Sequence, residues 1–238
     1  FNHLGRRAAV FQRAAADAAS PERALFTFGE DLPNGYLGWR NHANLPEWRL
    51  ETPEARERLY AAPGSVAQFW LREFEIDGWR LDVAPDLGPQ ILADITETVR
   101  RARPGAVTIG ECWNYPEEWL RVLDGILNLH AGNLILNFAR GRLAPAVAAR
   151  ALERMIADAG IEGILRSHLV LDNHDTARLA TLLPDPAERR LARFLQLALP
   201  GCPVIYYGSE LGMTGGAGFT NRGPMRWDLA TEIGRAHV

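Results

Sequence analysis

The stretch Asp77-Gly78-Trp79-Arg80-Leu81-Asp82-Val83-Ala84 sets an arginine and an aspartate two residues apart in a short run of strand type. Alternate residues of a strand share a face, so Arg80 and Asp82 point one way while Trp79, Leu81 and Val83 point the other. A strand buried in a parallel sheet reads as nearly continuous apolar sequence, and charges placed there are costly unless paired. For this segment alone, a structural ion pair and a catalytic pair account for the residues equally well.

The same arrangement recurs down the chain. Val107-Thr108-Ile109-Gly110 runs into Glu111, Leu169-Val170-Leu171 into Asp172-Asn173-His174-Asp175, and Pro203-Val204-Ile205-Tyr206-Tyr207 into Gly208-Ser209-Glu210. Each short apolar run ends in acids, with helical stretches between the runs. Alternation of strand and helix predicts parallel strands joined by right-handed crossovers. Polar groups at the carboxyl ends of successive barrel strands converge on one functional face.

The segments GWRLDVAPD (78–86), TIGECW (108–113), LVLDNHD (169–175) and VIYYGSELGMTGG (204–216) resemble, in order and spacing, the motifs of the α-amylase superfamily of glycoside hydrolases. FNH at 1–3, NLPEW at 44–48 and NRGPMRWD at 221–228 extend the likeness over nearly the whole chain, which looks most like the neopullulanase, cyclomaltodextrinase and maltogenic amylase branch. The resemblance implies an α/β fold, a (β/α)8 barrel with a loop insertion after its third strand. Such a barrel takes about 250 residues without that insertion, and the runs counted here correspond to its fourth to eighth strands. Phe1-Asn2-His3 would be the tail of the third.

A partial barrel is therefore expected, with residues 1–50 as the insertion region and 51–231 as strands four to eight with their helices. Any signal peptide would lie upstream, so the chain carries no information about export. The last residues, Glu232-Ile233-Gly234-Arg235-Ala236-His237-Val238, match the translation of a common sequencing adapter and are set aside from the functional reading.

Two carboxylic acids flanking a glycosidic bond are the minimal equipment for its hydrolysis. Arg80 shares the strand face of Asp82 and favours its ionised form, which suits a nucleophile. Glu111 follows Gly110 and precedes Trp113, a less charged setting that suits a protonated acid. The resemblance implies the same roles: Asp82 as nucleophile, Glu111 as acid/base, and Asp175 as the third acid, holding the sugar's 2- and 3-hydroxyls with His174 as its partner. It also implies substrate contacts at Arg80, His3, Asn173 and Trp113, with Asn2 structural or, in some relatives, a calcium ligand. Arg49 stands where relatives usually carry asparagine, which leaves linkage and chain-length preference open. Asp86 is read equally as a cap on the next helix or as a substrate contact.

The expected activity is retaining hydrolysis of α-glucans of the starch, maltodextrin, cyclodextrin or pullulan type, with an α-glucan oligosaccharide or polysaccharide as partner, no nucleic acid or membrane, and the oligomeric state open. The chemistry requires no cofactor, and the sequence shows no ligand set for calcium. Alternatives are a sucrose- or trehalose-type transglycosylase of the same superfamily, a non-catalytic barrel, or a fragment inactive because its sheet edges are open. With 26 basic and 29 acidic residues, a net charge of −3 and 47% hydrophobic residues, the 238-residue chain has an ordinary soluble composition. That charge argues against a nucleic-acid or anionic-membrane surface. The longest apolar stretch, Leu191 to Gly208, is broken by Arg193, Pro200 and Pro203 and is not a membrane span.

Several local expectations follow the periodicity. Residues 4–50 show little of it, and the aromatics Phe26, Phe28, Tyr36, Trp39 and Trp48 suit sugar stacking or a satellite core about equally. Pro53 to Phe74 predicts a helix capped by Thr52 and broken at Gly64; Leu87 to Ala102 predicts another with Ile91, Ile95 and Val99 inward. A helix is expected from Pro116. For the sixth strand, Gly125 to Leu129 competes with Leu134 to Phe138. Pro145 to Ala159 predicts a helix with Val147, Ala151, Leu152, Met155 and Ile156 on one side, and Leu191, Phe194, Leu195 and Ala198 form the expected buried stripe of a later one. Cys112 and Cys202 read as buried thiols rather than a disulfide framework. The loop Met213 to Gly223 is glycine-rich but lacks a phosphate-binding pattern.

Overall fold

The computed structural model describes residues 2–216 and 218–230, so Phe1, Ala217, Thr231 and the adapter-like tail lie outside the described residues. The elements in chain order are α1 (Ala9–Ala16), α2 (Pro53–Arg56), α3 (Val66–Glu73), β1 (Gly78–Leu81), α4 (Gly88–Ala102), β2 (Val107–Cys112), β3 (Gly125–Asn128), α5 (Leu129–Ala139), α6 (Pro145–Ala159), α7 (Ile161–Arg166), β4 (His168–Val170), α8 (Leu179–Leu182), α9 (Pro186–Ala198) and β5 (Cys202–Val204). They form two compact units that divide between Glu111 and Cys112. Among the described residues no helix is long and apolar enough to cross a membrane.

In the first unit β1 and β2 pair in parallel, with Gly78 opposite Val107 and Leu81 opposite Gly110. The crossover is α4, which buries Ile91, Leu92, Ile95, Thr96 and Val99 as its four-residue spacing predicts. The hydroxyls of Thr96 and Thr108 meet at 2.8 Å and tie that helix to β2. Glycine is needed at position 78, because a Cβ there would stand 2.0 Å from the Val107 carbonyl oxygen. The Thr52 hydroxyl accepts from the Ala55 N–H at 3.4 Å, as expected of a cap. The helix then widens into a π turn at Glu57–Ala61 before Ser65 caps a fresh start.

The insertion region holds more order than its sequence suggests. Phe11, carried by α1, lies edge-on to Phe26 at 5.1 Å and to Tyr36 at 4.8 Å, and Trp48 stacks on Phe26 at 4.9 Å. Of the two explanations for its aromatics, the satellite core accounts for Phe26, Phe28, Tyr36 and Trp48. Trp39 stands apart from it.

In the second unit β3, β4 and β5 pair in parallel, His168 lying opposite both Leu127 and Cys202. The contest for the sixth strand goes to Gly125–Asn128, and residues 134–138 are helical within α5. Asn128 makes the switch: it ends the strand, and its side-chain oxygen accepts from the Ala131 N–H at 3.0 Å to start the helix. Ile135, Leu136, Met155, Ile164, Leu169 and Leu183 meet in the core, so Met155 is packing.

Four expectations need correction. The predicted helix at Pro116 is only a turn at Trp119–Arg121, since Gly125 opens a strand too soon for more. Val147 is exposed on α6, and Leu191 and Phe194 are exposed on α9, whose inward residues are Ala192 and Gln196. Gln196 can turn inward because its amide donates to the carbonyls of Leu169 at 2.7 Å and Val204 at 2.9 Å. Of the two thiols, Cys112 is buried and Cys202, at the start of β5, is exposed.

Gly132 offers a test of the α5 packing, since a Cβ there would lie 1.9 Å from the Val170 carbonyl oxygen on β4. Alanine favours a helix over glycine by about 1 kcal/mol, whereas overpacking against backbone costs about 1–3 kcal/mol or more. Gly132→Ala is expected to lower the thermal midpoint, by about 2–4 °C per kcal/mol of net loss. A midpoint unchanged or raised in a circular-dichroism melt contradicts this packing.

Candidate active site

In the first unit, β1 ends at Leu81 and leaves Asp82 just beyond the strand. Val83 follows in a left-handed conformation, φ 43° and ψ 48°, which a β-branched residue seldom adopts. That strained turn aims the Val83 N–H at the Oε2 of Glu111, 3.0 Å away. The parallel register places Arg80 opposite Ile109, two residues before Glu111 on β2. Its guanidinium then reaches both acids: one terminal nitrogen donates to Asp82 Oδ1, and the other lies 3.0 Å from Glu111 Oε2. The expectation of a less charged setting for Glu111 is therefore corrected, because the arginine bridges the two carboxylates. What separates them is access. Glu111 is 4% exposed, and the Asp82 side chain is 55% exposed.

Beside this pair, His3 stacks on Trp39 with ring centres 5.2 Å apart, and the Trp39 indole N–H donates to Asp86 Oδ2 at 2.8 Å. Burial is the main cause of a lowered His3 pKa, and the carboxylates of Asp82 and Asp86 oppose it. Glu47, bridged to His3 through an antiparallel pair, has its pKa raised by burial and then by Asp86. A cleft of about 560 Å³ opens here, lined among others by Trp39, Arg40, Glu47, Trp48, Asp86 and Leu87. Of the alternatives for Asp86, capping of the following helix is not what its side chain does; it holds the Trp39 indole.

In the second unit, the chain leaves β4 through Leu171 into Asp172, which is fully buried and accepts from the Leu179 N–H at 2.8 Å and from the Ser209 hydroxyl. Asn173 folds the next turn, its side-chain oxygen accepting from the N–H groups of Asp175 at 2.9 Å and Thr176 at 3.0 Å. Asp175 is held at both oxygens: His174 Nε2 lies 3.0 Å from Oδ2, and Arg222 Nη2 lies 2.8 Å from Oδ1. Trp113, just past β2, is exposed.

Arg222 and Asn221 were not among the expected site residues. Their signal was the segment NRGPMRWD, which carried a resemblance but no local pattern of its own. Trp39 likewise sat unresolved among the insertion's aromatics. Among the described residues, no group of three or more His, Cys, Asp or Glu side chains is arranged to hold a metal ion.

The family model described as Alpha amylase, catalytic domain, matches residues 1–235. The chain belongs to the α-amylase family. It is 35% identical over 188 residues to a cyclomaltodextrinase of a Bacillus species, covering 77% of this chain and 33% of that protein. It is 31% identical over 245 residues to Neopullulanase 2 of Thermoactinomyces vulgaris, covering 96% and 40%. Among solved structures, the ligand-free cyclic α-maltosyl-(1→6)-maltose hydrolase from Arthrobacter globiformis superposes with a TM-score of 0.89 at 28% identity, over 98% of this chain and 55% of that one. This α-amylase family chain thus spans well under half the length of those curated relatives and about half of that solved one.

The electrostatics of His3 are open to measurement. Since its folded pKa lies below the usual 6.5, the unfolded chain takes up the proton first, and the histidine's contribution to stability is lost as pH falls through about 6.5. An NMR titration is expected to place His3 below 6.5, and lower still in Asp86→Asn, which removes one of the opposing carboxylates. A midpoint above 6.5, or one that rises in Asp86→Asn, contradicts this placement.

Proposed function

We propose that the chain is a partial (β/α)8 barrel of a retaining glycoside hydrolase that acts on α-glucans, with Asp82 as nucleophile and Glu111 as acid/base. The observation that carries this reading is the Arg80 guanidinium set between an open carboxylate and a buried one. A nucleophile has to reach carbon, and Asp82 is open to approach. A proton donor works best shielded from water, and Glu111 is enclosed.

In the proposed reaction the Asp82 carboxylate attacks the anomeric carbon as the glycosidic C–O bond breaks, and Glu111 gives its proton to the departing oxygen. In the second step the Glu111 carboxylate takes a proton from water, whose oxygen attacks the same carbon and releases Asp82. Asp175 binds the sugar's 2- and 3-hydroxyls, bonds that strengthen as the ring flattens toward the oxocarbenium-like state. His3 and Trp39 offer ring faces suited to sugar C–H groups.

Both mutations should be made in the intact gene product. Asp82→Asn is nearly isosteric and is expected to reduce hydrolysis of an α-1,4-glucan to near background with little loss of folding. Glu111→Gln should lose about 10²–10⁴-fold on the same substrate, and far less on an α-glucosyl fluoride, whose leaving group needs no proton. Full activity of Asp82→Asn on starch-type substrates rules out the assignment. Equal loss by Glu111→Gln on good and poor leaving groups places the acid elsewhere.

The partial barrel is supported by apolar surface on single helices. On α3 and at its end, Phe69, Trp70 and Phe74 are exposed and cluster with ring centres 4.7–5.7 Å apart; on α9, Phe194 is 67% and Leu197 61% exposed. Contiguous patches of this kind mark surfaces that other protein covers. Expressed alone, the chain is expected to self-associate, and Phe194→Glu with Leu197→Glu should shift its sedimentation toward monomer. A wild-type chain that is monomeric at high concentration speaks against missing neighbours on α9.

A further inference from the structure

We infer that Asn221 and Arg222 form a clamp that positions Asp175, acting through the turn that carries it and not through contact with substrate; this rests on the role proposed above for Asp175. Asn221 is 1% exposed, and its side-chain nitrogen faces three carbonyls of the turn: Thr176 at 2.7 Å, His174 at 2.8 Å and Asn173 at 3.3 Å. Its side-chain oxygen is buried without a partner. An unsatisfied buried acceptor costs about 1–3 kcal/mol, so the amide is kept here for what its nitrogen holds.

Arg222 completes the grip. Its Nε donates to the His174 carbonyl at 2.9 Å and its Nη2 to Asp175 Oδ1 at 2.8 Å. One planar fork therefore fixes the backbone ahead of the acid and the acid itself, a geometry that the single ammonium of lysine cannot reproduce. The guanidinium also lies over the Phe219 ring at 4.8 Å, and Phe219 takes a left-handed φ of 77° just before the turn that presents both residues. Backbone strain of this kind persists where the surroundings over-determine it. With His174 on the other oxygen, the Asp175 carboxylate has little rotational freedom. Such freedom matters, because a displacement of about 1 Å in a reacting geometry costs up to about 10²-fold in rate.

A double-mutant cycle in the intact gene product, assayed on maltotriose, separates a positioning residue from a substrate contact. Arg222→Ala is expected to lower kcat/KM by about 10–100-fold, mostly in kcat, but to cost less than about threefold when Asp175 is already Asn. Arg222→Lys should recover part of the activity, and Asn221→Ala should show the same dependence on Asp175. Losses that multiply in the double variants overturn the inference and make Arg222 a direct substrate contact. So does a loss that tracks a fallen thermal midpoint with no recovery in Arg222→Lys. Hydrogen exchange of the Asp175 and Thr176 amides gives a readout independent of activity: it should quicken in both clamp variants while α5 and β4 stay protected. Unchanged exchange refutes the clamp. If Asp175→Asn alone leaves activity intact, the catalytic reading falls, and the exchange measurement still decides the clamp.

Discussion

One guanidinium between two carboxylates is the constraint on which the first unit's site depends. The Arg80 guanidinium reaches both Asp82 and Glu111, and removing it would take away the cation that the two carboxyl groups share. A pair of unit charges 4 Å apart interacts by about 4 kcal/mol in surroundings of effective dielectric 20. Solvent reaches Arg80 and Asp82 and screens part of this. The arrangement exists only in the observed register: with β1 and β2 paired Leu81 to Gly110, Arg80 lies opposite Ile109 and Glu111 comes two rungs further along β2, where alternate residues share a face. A slip by one residue would turn either side chain to the opposite face. Gly78 helps to set that register, because its missing side chain admits the Val107 carbonyl.

Both units hold their acids by local turns that only tertiary structure sustains. Val83 takes a left-handed conformation and gives its N–H to Glu111; Asn173 folds the turn before Asp175 and is itself held from Asn221. Strained or side-chain-built turns are common where a group has to be aimed, since regular strands offer only two directions for a side chain. A short strand delivers the chain in each case, and a turn of two or three residues orients the carboxylate.

The strands and their acids were legible because they break a rule. Apolar runs that end in Asp, Glu or Arg contradict the composition of a buried parallel strand, and that contradiction drew attention to Arg80, Asp82, Glu111 and Asp175. The ranges of α4 and α6 were legible from four-residue spacing. Other features escaped for a common reason: their determinants are distant in sequence. Arg222 lies 47 residues from Asp175, and Trp39 lies 47 from Asp86, so no window of local pattern contains either pair. The face of α9 was misread because the helix is apolar on two sides. Periodicity could not choose between Leu191 with Phe194 and the true inward line through Ala192 and Gln196, and a glutamine satisfied by two strand carbonyls reads, from sequence alone, as a surface residue.

That two-sided helix bears on how much of the chain's stability is its own. Burying a side chain of phenylalanine or leucine size contributes about 1.5–3 kcal/mol, while a domain is stable by only about 0.05–0.15 kcal/mol per residue. Phe194 and Leu197 on α9, left open, withhold a contribution comparable to a large part of such a margin. Phe69 and Trp70 on α3 and Phe74 just after it are in the same position, although their mutual ring contacts recover some of it. The sites are built locally, by Arg80 in one unit and by Asn221 and Arg222 in the other, so their geometry does not draw on these exposed faces. Their rigidity depends on the strands that carry them, because a turn is only as still as its flanking elements.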